Sequence, residues 1–339
     1  MFKETFKYYK SKKPLPDFSE IIDLDLPTKT SGKLDKLDLC EESIPSTLPP
    51  GLIPVRDWNC YQLRHHPGLI VIHNPFTPEG QRYWIARCLR DYPKRPNVVN
   101  LSAKLFSHLA IDDWWHELQN CSCNDEARRM KVGMRWTTLG YHHDWDTKVY
   151  SEEMRTQFPS DLAKLTCCFS EVLGFEVFNA EAAIINYYPI GTTLAAHTDH
   201  SEVNLEAPLF SFSFGQTAIF LIGGKTKEER PSAIFLKSGD VVVMSRVARL
   251  CYHAVPRILQ AQEEPWNKLS GRNTVVAGIH CKRRAKCEIE NEPSEWSLET
   301  SLYKQLTDEV FWAPFKNYLD DSRININVRQ VLYAGHKSL

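Results

Sequence analysis

The spacing of hydrophobic and polar positions changes along the chain. The segment "TPEGQRYWIARCLRDY" (77–92) spaces its apolar residues as a helix does, and it opens with Thr77 and Pro78, which are favourable at a helix N-terminus. The segment "SDLAKLTCCFSEVLGF" (160–175) predicts a second helix that closes at Gly174. The short apolar run "PGLIVIHNPF" (67–76) precedes the first helix and predicts a strand.

After residue 180 the pattern becomes one of short strand-like runs separated by Gly- and Pro-containing turns. The runs are "AAIINYYP" (182–189), "PLFSFSFG" (208–215), "TAIFLIGG" (217–224), "SAIFLKSGDVVVMS" (232–245), "NTVVAGIHC" (273–281) and "SRININVRQVL" (322–332). Many short strands with regular turn signals are typical of a β-sandwich or barrel. The patterns therefore predict an α+β protein in which helices precede a β-rich half.

The N-terminal part of the chain has a different character. The segment "FKETFKYYKSKK" (2–13) predicts a short basic helix, and residues 14–50 are rich in Pro, Ser, Thr and Asp, as in an extended arm or linker. We therefore expect three regions. They are an N-terminal arm with a short basic helix (1–55), a helical supporting region (56–130) and a β-rich region that carries the chemistry (131–335).

Composition and charge narrow the function classes. With 41 basic and 42 acidic residues among 339, the chain lacks the overall positive charge of many nucleic-acid-binding proteins, although the basic runs "EARRMKVGMR" (126–135) and "HCKRRAKCE" (280–288) could hold phosphates locally. No segment resembles a membrane span. Ten cysteines without a disulfide pattern indicate an intracellular protein, and weak targeting features leave the nucleus, cytoplasm and mitochondrion open.

The stretch "AAHTDHSE" (195–202) contains candidate metal ligands. On a strand, His197 and Asp199 would point to the same side, whereas His200 would point away. A third ligand, His253, is available in "SGDVVVMSRVARLCYHAVPRI" (238–258). Two histidines and one carboxylate form the facial triad that holds Fe(II) and leaves positions open for a co-substrate and dioxygen. The alternative is that these are ordinary polar loop residues.

The segment "RININVR" (323–329) alternates strictly between an apolar face and a polar face. The polar face carries Arg323, Asn325 and Arg329, and an arginine can bind a carboxylate through two parallel hydrogen bonds. The run "AIINYYP" likewise places Asn186 and Tyr188 on one face, a short distance before the candidate metal ligands. These faces predict a dicarboxylate pocket beside the metal, unless they are simply the solvated sides of two strands.

The motifs occur together in a characteristic order. N-x-Y, H-x-D-x-x-E, "SFSFGQTAIFLIGG" (211–224), "YHAVPR" (252–257) and R-x-N-x-x-x-R resemble the AlkB-type iron(II)/2-oxoglutarate dioxygenases over roughly residues 131–331. The segments "YPKRPNVVNL" (92–101), "WTTLGYHHDWD" (136–146) and "FPSDL" (158–162) resemble one animal branch of that family. The resemblance implies a double-stranded β-helix, or jelly roll, supported by N-terminal helices.

The resemblance also implies a role for each matching residue. His197, Asp199 and His253 would hold Fe(II). The 2-oxoglutarate co-substrate would be held by five residues, with Arg323 at its distal carboxylate: Asn186, Tyr188, Arg323, Asn325 and Arg329. In the family, 2-oxoglutarate and O2 are consumed, succinate and carbon dioxide are released, and an oxidised N-methyl group is lost as formaldehyde.

The substrates of this family are methylated nucleic acid bases that leave the base stack. Trp136 and Tyr141 match the base-side lid of the family and Tyr150 follows them, although all three could instead be core aromatics of a hairpin. Ser201 stands where the bacterial repair enzyme has an acidic residue that recognises the base amino group. This change makes efficient repair of the bacterial kind doubtful.

Several partners remain open within the resemblance. The animal branch is associated with 1-methyladenosine and 5-methylcytidine in tRNA, with methylated adenine in DNA, with a core histone, and with lyase activity at abasic sites. We expect tRNA or structured DNA with an unpaired base to be the partner, because extrusion of a base is cheaper there. A protein methyl-lysine demethylase with the same site and an abasic-site lyase are the alternatives. No feature of the sequence addresses the oligomeric state.

Overall fold

The computed structural model describes residues 1–26, 32–39, 45, 48–175, 177–269 and 300–339, which form eight α-helices and thirteen strands. The helices are α1 (Phe2–Lys10), α2 (Pro78–Ala86), α3 (His108–Asp112), α4 (Trp114–Asn120), α5 (Asn124–Gly133), α6 (Ser160–Val172), α7 (Thr300–Gln305) and α8 (Glu309–Leu319). The strands are β1 (Leu34–Lys36), β2 (Asn59–Leu63), β3 (Leu69–His73), β4 (Val98–Val99), β5 (Trp136–Gly140), β6 (Ala182–Pro189), β7 (Leu194–His197), β8 (Leu209–Gly215), β9 (Thr217–Ile222), β10 (Ser232–Leu236), β11 (Val241–Met244), β12 (His253–Leu259) and β13 (Ser322–Arg329).

The strands form two sheets. Nine strands follow the order β1-β2-β3-β11-β8-β13-β6-β5-β4, and four follow the order β10-β9-β12-β7. Every pairing among these strands is antiparallel. The predicted α+β class with an antiparallel β core and supporting helices is therefore confirmed. The strand expected at residues 273–281 and the basic run at 280–288 lie outside the described residues.

The two sheets face each other across an apolar core. Leu69, Val71 and Val242 of the large sheet are buried in one cluster with Phe220 and Ile234 of the small sheet. These positions occur at every second residue of their strands, as the pleat requires. The apolar cluster fills one part of the space between the sheets, and the polar face of β13 lines another.

The opposite face of the large sheet packs against the helices. Ile324, Ile326 and Val328, the apolar positions of "RININVR", are fully buried there in the cluster that contains residues of α2, α6 and α8. Thr77 accepts a hydrogen bond from the backbone N–H of Gly80 at 3.1 Å, so the predicted cap at the start of α2 is confirmed. The helices thus fix the side of β13 that points away from the site.

Residues of the N-terminal part cover the outer face of the small sheet. Phe2 and Tyr9 of α1 and Ile21 are buried against Ile219 and Leu221 of β9. Within the described residues the longest helix, α6, has 13 residues, and no helix combines the length and the apolar character that crossing a bilayer requires.

Candidate active site

Three candidate metal ligands converge at one end of the small sheet. His197 ends β7 and lies opposite His253, the first residue of β12. Their ligand atoms and a carboxylate oxygen of Asp199 all lie within 4.8 Å of one another. The Asp199 carboxylate is 3.8 Å from Nε2 of His197 and 3.7 Å from Nε2 of His253. Asp199 reaches this position from the loop 198–208, because β7 stops before it rather than continuing as the sequence pattern suggested.

Hydrogen bonds to the backbone orient both imidazoles. Nδ1 of His197 lies 2.9 Å from the carbonyl oxygen of Ala195, and Nδ1 of His253 lies 3.2 Å from the carbonyl oxygen of Cys251. A carbonyl oxygen can only accept, so in each ring Nδ1 carries the proton. Nε2 then presents its lone pair to the cluster, as a histidine metal ligand requires. The donor set of two imidazoles and a carboxylate fits Fe(II).

A buried network of charges holds Asp199, the third candidate ligand. Nη2 of Arg329 lies 3.1 Å from the Asp199 carboxylate, and its Nε lies 2.9 Å from Glu202. Arg249 donates to the carbonyl oxygen of Asp199 at 2.7 Å and to Glu202 at 2.9 Å, and Tyr150 donates its hydroxyl to Glu202 at 3.2 Å. Burial by itself raises the pKa of Asp199, but the charge of Arg329 and the other nearby cations outweighs it and holds this pKa well below its ordinary value.

Arg323 lies on the same face of β13 as Arg329 but has different surroundings. It is 2% exposed, and its guanidinium donates to the carbonyl oxygens of Gln216 and Leu236 at 2.9 and 2.8 Å and to the hydroxyl of Ser213 at 2.6 Å. No carboxylate forms an ion pair with it in the part of the chain that the structure describes. Burial lowers the pKa of Arg323 to about 10. A buried cation without an anion is costly, and it suits an anionic ligand.

The register of β6 and β13 places the other predicted pocket residues next to Arg323. Tyr188 lies directly opposite Arg323, and Asn186 lies directly opposite Asn325. Directly opposite residues in an antiparallel pair share one face of the sheet. The structure therefore brings the four side chains onto one polar face.

The two asparagines differ in how their side chains are used. Asn325 donates its amide to the hydroxyl of Ser211 at 2.9 Å and to the carbonyl oxygen of Phe212 at 3.1 Å, so its side chain is tied to β8. Asn186 is partly exposed and lies opposite Trp136 of β5. Trp136 thus joins the same cross-strand row as the predicted pocket.

A chain of rings connects this row to the charged network. The ring centroids of Trp136 and Trp145 are 5.1 Å apart, those of Trp145 and His143 are 4.8 Å apart, and those of His143 and Tyr150 are 5.4 Å apart. Trp145 is 47% exposed. Aromatic side chains, one of them exposed, therefore lie between the predicted pocket and the charged network, and aromatic side chains can stack on an unpaired base.

The remaining two candidates for substrate contact lie in different settings. Tyr141 is 1% exposed, its hydroxyl donates to Glu152, and Arg155 lies over its ring at 4.5 Å from the centroid. These are the surroundings of a core aromatic. Ser201 is partly exposed in the loop between Asp199 and Glu202.

Several residues of the site have no role in the sequence-based prediction: Glu202, Arg249, His143 and Ser213. Glu202 lies three residues after Asp199, and an acidic residue so close to a metal ligand could have been taken as a sign of a charged network. Arg249 gives no such sign, because it lies in the short 3₁₀ turn Arg246–Leu250, whose approach to Asp199 depends on the tertiary fold.

Comparison with known proteins agrees with this geometry. The model of the 2OG-Fe(II) oxygenase superfamily matches residues 68–329. The chain is 36% identical to Nucleic acid dioxygenase ALKBH1 of Homo sapiens, over 98% of this chain and 84% of that protein. It is 29% identical to DNA N(6)-methyladenine demethylase ALKBH1A of Arabidopsis thaliana, over 98% of this chain and 93% of that protein. It is 35% identical to tRNA demethylase abh1 of Schizosaccharomyces pombe, over 59% of this chain and 71% of that protein. From these matches, the chain belongs to the 2OG-Fe(II) oxygenase superfamily and, within it, to the AlkB-type proteins.

Proposed function

We propose that this protein is an Fe(II)- and 2-oxoglutarate-dependent dioxygenase that oxidatively demethylates bases in nucleic acid, in tRNA or in DNA with an unpaired base. One observation carries the proposal most directly. A group of three candidate metal ligands contacts Arg329 on the polar face of β13, and the same face carries Arg323, a buried cation that forms no ion pair within the described residues. The names of the relatives, which include a nucleic acid dioxygenase, a DNA demethylase and a tRNA demethylase, support the substrate class.

His197, Asp199 and His253 are proposed as the iron ligands, through two Nε2 atoms and a carboxylate oxygen. Three protein ligands leave the remaining coordination positions to 2-oxoglutarate and O2. Arg329 takes part by fixing the Asp199 carboxylate, which its Nη2 approaches at 3.1 Å. Its side chain therefore orients a ligand, and we do not expect it to be the main contact of the distal carboxylate.

Arg323 is proposed to bind the distal carboxylate of 2-oxoglutarate. Tyr188 lies opposite it and can donate its hydroxyl, because burial raises the pKa of that phenol and keeps it protonated. Asn186 and Asn325 form the next row toward the metal, where Asn186 has donor groups for a co-substrate oxygen. The ligand would thus span the rows that lead from Arg323 to the metal.

When bound, the cofactors supply the oxidation: 2-oxoglutarate loses carbon dioxide to become succinate, and one oxygen atom of O2 enters a C–H bond of the substrate methyl group. The protein positions the base. Trp136 and Trp145 offer stacking surface, and Tyr150 closes the same wall through its bond to Glu202. The resulting N-hydroxymethyl group breaks at its C–N bond and leaves as formaldehyde, and the base nitrogen keeps the electron pair.

Anaerobic reconstitution with Fe(II) and 2-oxoglutarate, followed by exposure to air with methylated tRNA or bulged methyladenine DNA, tests the proposal. We expect succinate and loss of the methyl mark to appear together in mass spectra. His197→Ala, Asp199→Ala and Arg323→Ala should each abolish 2-oxoglutarate turnover with the fold retained in circular dichroism. His200→Ala is the matched control, because His200 is exposed and, within the described part of the chain, its Nδ1 bonds only to Thr198.

Other outcomes identify the alternatives. Succinate without change in either nucleic acid would move the substrate to a methylated protein, such as a histone. Strand cleavage at an abasic site that survives in His197→Ala would be a lyase reaction independent of the metal. Retained turnover in His197→Ala, Asp199→Ala or Arg323→Ala would show that the site assignment is wrong. Since nucleic acid is the proposed substrate, we infer that the protein acts inside the cell, in the nucleus, cytoplasm or mitochondrion.

A further inference from the structure

His143 has a buried ring nitrogen that lacks a hydrogen-bond partner. Its Nδ1 is one of the buried polar side-chain atoms for which the described residues supply no partner. The neighbouring His142 is different, because its two ring nitrogens lie 2.8 Å from the hydroxyl of Thr138 and 3.1 Å from that of Thr156. Buried polar groups are almost always paired in folded proteins. The unpaired nitrogen of His143 therefore indicates a contact that the protein itself does not supply.

The ring of His143 lies between the exposed Trp145 and the buried Tyr150. It stands perpendicular to Trp145 at 4.8 Å between centroids, and it meets Tyr150 at 5.4 Å. Trp145 leads to Trp136, whereas Tyr150 donates its hydroxyl to Glu202. His143 is thus the link between the exposed stacking surface and the charged network that holds the metal-ligand carboxylate.

The charge state of His143 follows from its surroundings. Burial lowers the pKa of His143 and the charge of Arg329 lowers it further, while Glu202, Asp199 and Asp144 act in the opposite direction and do not reverse the shift. The ring is therefore neutral near pH 7, with one N–H and one acceptor nitrogen. An unpaired buried N–H is rarer than an unpaired buried acceptor. Nδ1 accordingly carries the lone pair, and the proton lies on Nε2.

We infer that Nδ1 of His143 accepts a hydrogen bond from the exocyclic amino group of the methylated base and so orients that base over the metal. The inference rests on the proposed function and adds a specificity to it. Adenine and cytosine carry such an amino group next to the methylated ring nitrogen. Hypoxanthine and uracil carry a carbonyl oxygen there, which would set two acceptors against each other. A site built to pair with a donor rejects an analogue that lacks it.

Two short single-stranded oligonucleotides test this role. One carries 1-methyladenine and the other carries 1-methylhypoxanthine, which has a carbonyl in place of the amino group and lacks the positive charge of the 1-methyladenine ring, so the change from wild type to variant is what reports on His143. We expect the wild-type protein to prefer 1-methyladenine in kcat/KM. His143→Phe should lower kcat/KM for 1-methyladenine roughly tenfold, as loss of one hydrogen bond predicts, mainly through KM. The KM for 2-oxoglutarate should not change, and kcat/KM for 1-methylhypoxanthine should rise, because the opposing acceptor is removed.

A conservative variant and a binding measurement separate positioning from structural damage. His143→Asn places a carbonyl oxygen near the position of Nδ1, so we expect it to restore the preference for the amino base. Anaerobic fluorescence anisotropy should show the same order of affinities without turnover. His142→Phe, which loses two hydrogen bonds, should lower the melting temperature but keep the preference.

The outcomes are distinguishable. If His143→Phe keeps the wild-type preference, or a folded His143→Asn loses it, the role of His143 is wrong while the proposed function stands. If the wild-type protein demethylates neither oligonucleotide, the proposed function fails and the role of His143 fails with it.

Discussion

Binding of 2-oxoglutarate should stabilise the protein through Arg323 by an amount that can be worked out from the structure. Burial lowers the pKa of this guanidinium from 12.5 to about 10, so the group remains charged at neutral pH although its charge is disfavoured. At about 1.4 kcal/mol per pKa unit, this corresponds to a destabilisation of about 3 kcal/mol. A carboxylate bound to the guanidinium would offset a cost of that order.

The expected change in melting temperature follows from the size of the protein. An unfolding entropy of about 2.1 cal/mol/K per residue gives about 0.7 kcal/mol/K for 339 residues. A stabilisation of about 3 kcal/mol then raises the melting temperature by about 4 °C. By mass action, this stabilisation is reached when the free ligand concentration is roughly 100 times Kd.

Scanning calorimetry under nitrogen, with Mn(II) in place of Fe(II), measures this shift without turnover. We expect 2-oxoglutarate to raise the melting temperature of the wild-type protein and to leave that of Arg323→Met unchanged. Succinate, which keeps the distal carboxylate, should produce part of the shift in the wild-type protein alone.

Arg82 provides the matched control. Like Arg323 it is buried, with 1% of its surface exposed, and it donates to two backbone carbonyls, but it has a carboxylate partner, because its Nη2 lies 2.8 Å from Glu309. Arg82→Met should lower the melting temperature of the free protein and keep the full shift with 2-oxoglutarate. An undiminished shift in Arg323→Met would refute the reasoning, since the anion would then bind elsewhere.

Three further changes test the charged network, the N-terminal segment and the start of α2. Glu202→Gln leaves two buried arginines with one carboxylate fewer, and urea titration should show a loss of about 3–5 kcal/mol in the free energy of unfolding. His73 lies 2.8 Å from Asp25 and 2.9 Å from Asp240; burial lowers its pKa, but these carboxylates raise it more, so the net pKa lies above the ordinary 6.5. The stability that it contributes is complete below pH 6.5 and is lost as the pH rises through the folded pKa, so His73→Gln should destabilise the protein more at about pH 6 than at about pH 9. Thr77→Ala removes the cap of α2 and should cost about 1 kcal/mol in thermal unfolding.

The parts of the fold that the sequence predicts well are those in which each face of an element has a uniform character. β6 runs over Ala182–Pro189, the predicted segment, because its apolar positions face a buried core on both sides. β13 is equally clear, since Ile324, Ile326 and Val328 all enter the helical core. β13 keeps a period of two along the whole strand, whereas β6 is recognised as a short continuous apolar run.

The edges of the large sheet could not be predicted in the same way. β1 (Leu34–Lys36) and β4 (Val98–Val99) are the outermost strands, and they have three and two residues. So short a segment carries no measurable period. Each is a strand because a neighbouring strand offers free backbone groups, which is a property of the assembled sheet.

The two arginines of the site show the same limit of prediction from sequence more clearly. Arg323 and Arg329 lie on one strand, six residues apart, and both side chains enter the polar face, so the sequence pattern assigns them the same role. The fold gives the two arginines different roles, because it places different groups next to each guanidinium. The loop 198–208 sets Asp199 and Glu202 against Arg329, whereas Arg323, among the residues that the structure describes, donates hydrogen bonds only to carbonyl oxygens and a hydroxyl. One arginine therefore holds the carboxylate of Asp199, and the other is the proposed partner of the co-substrate anion.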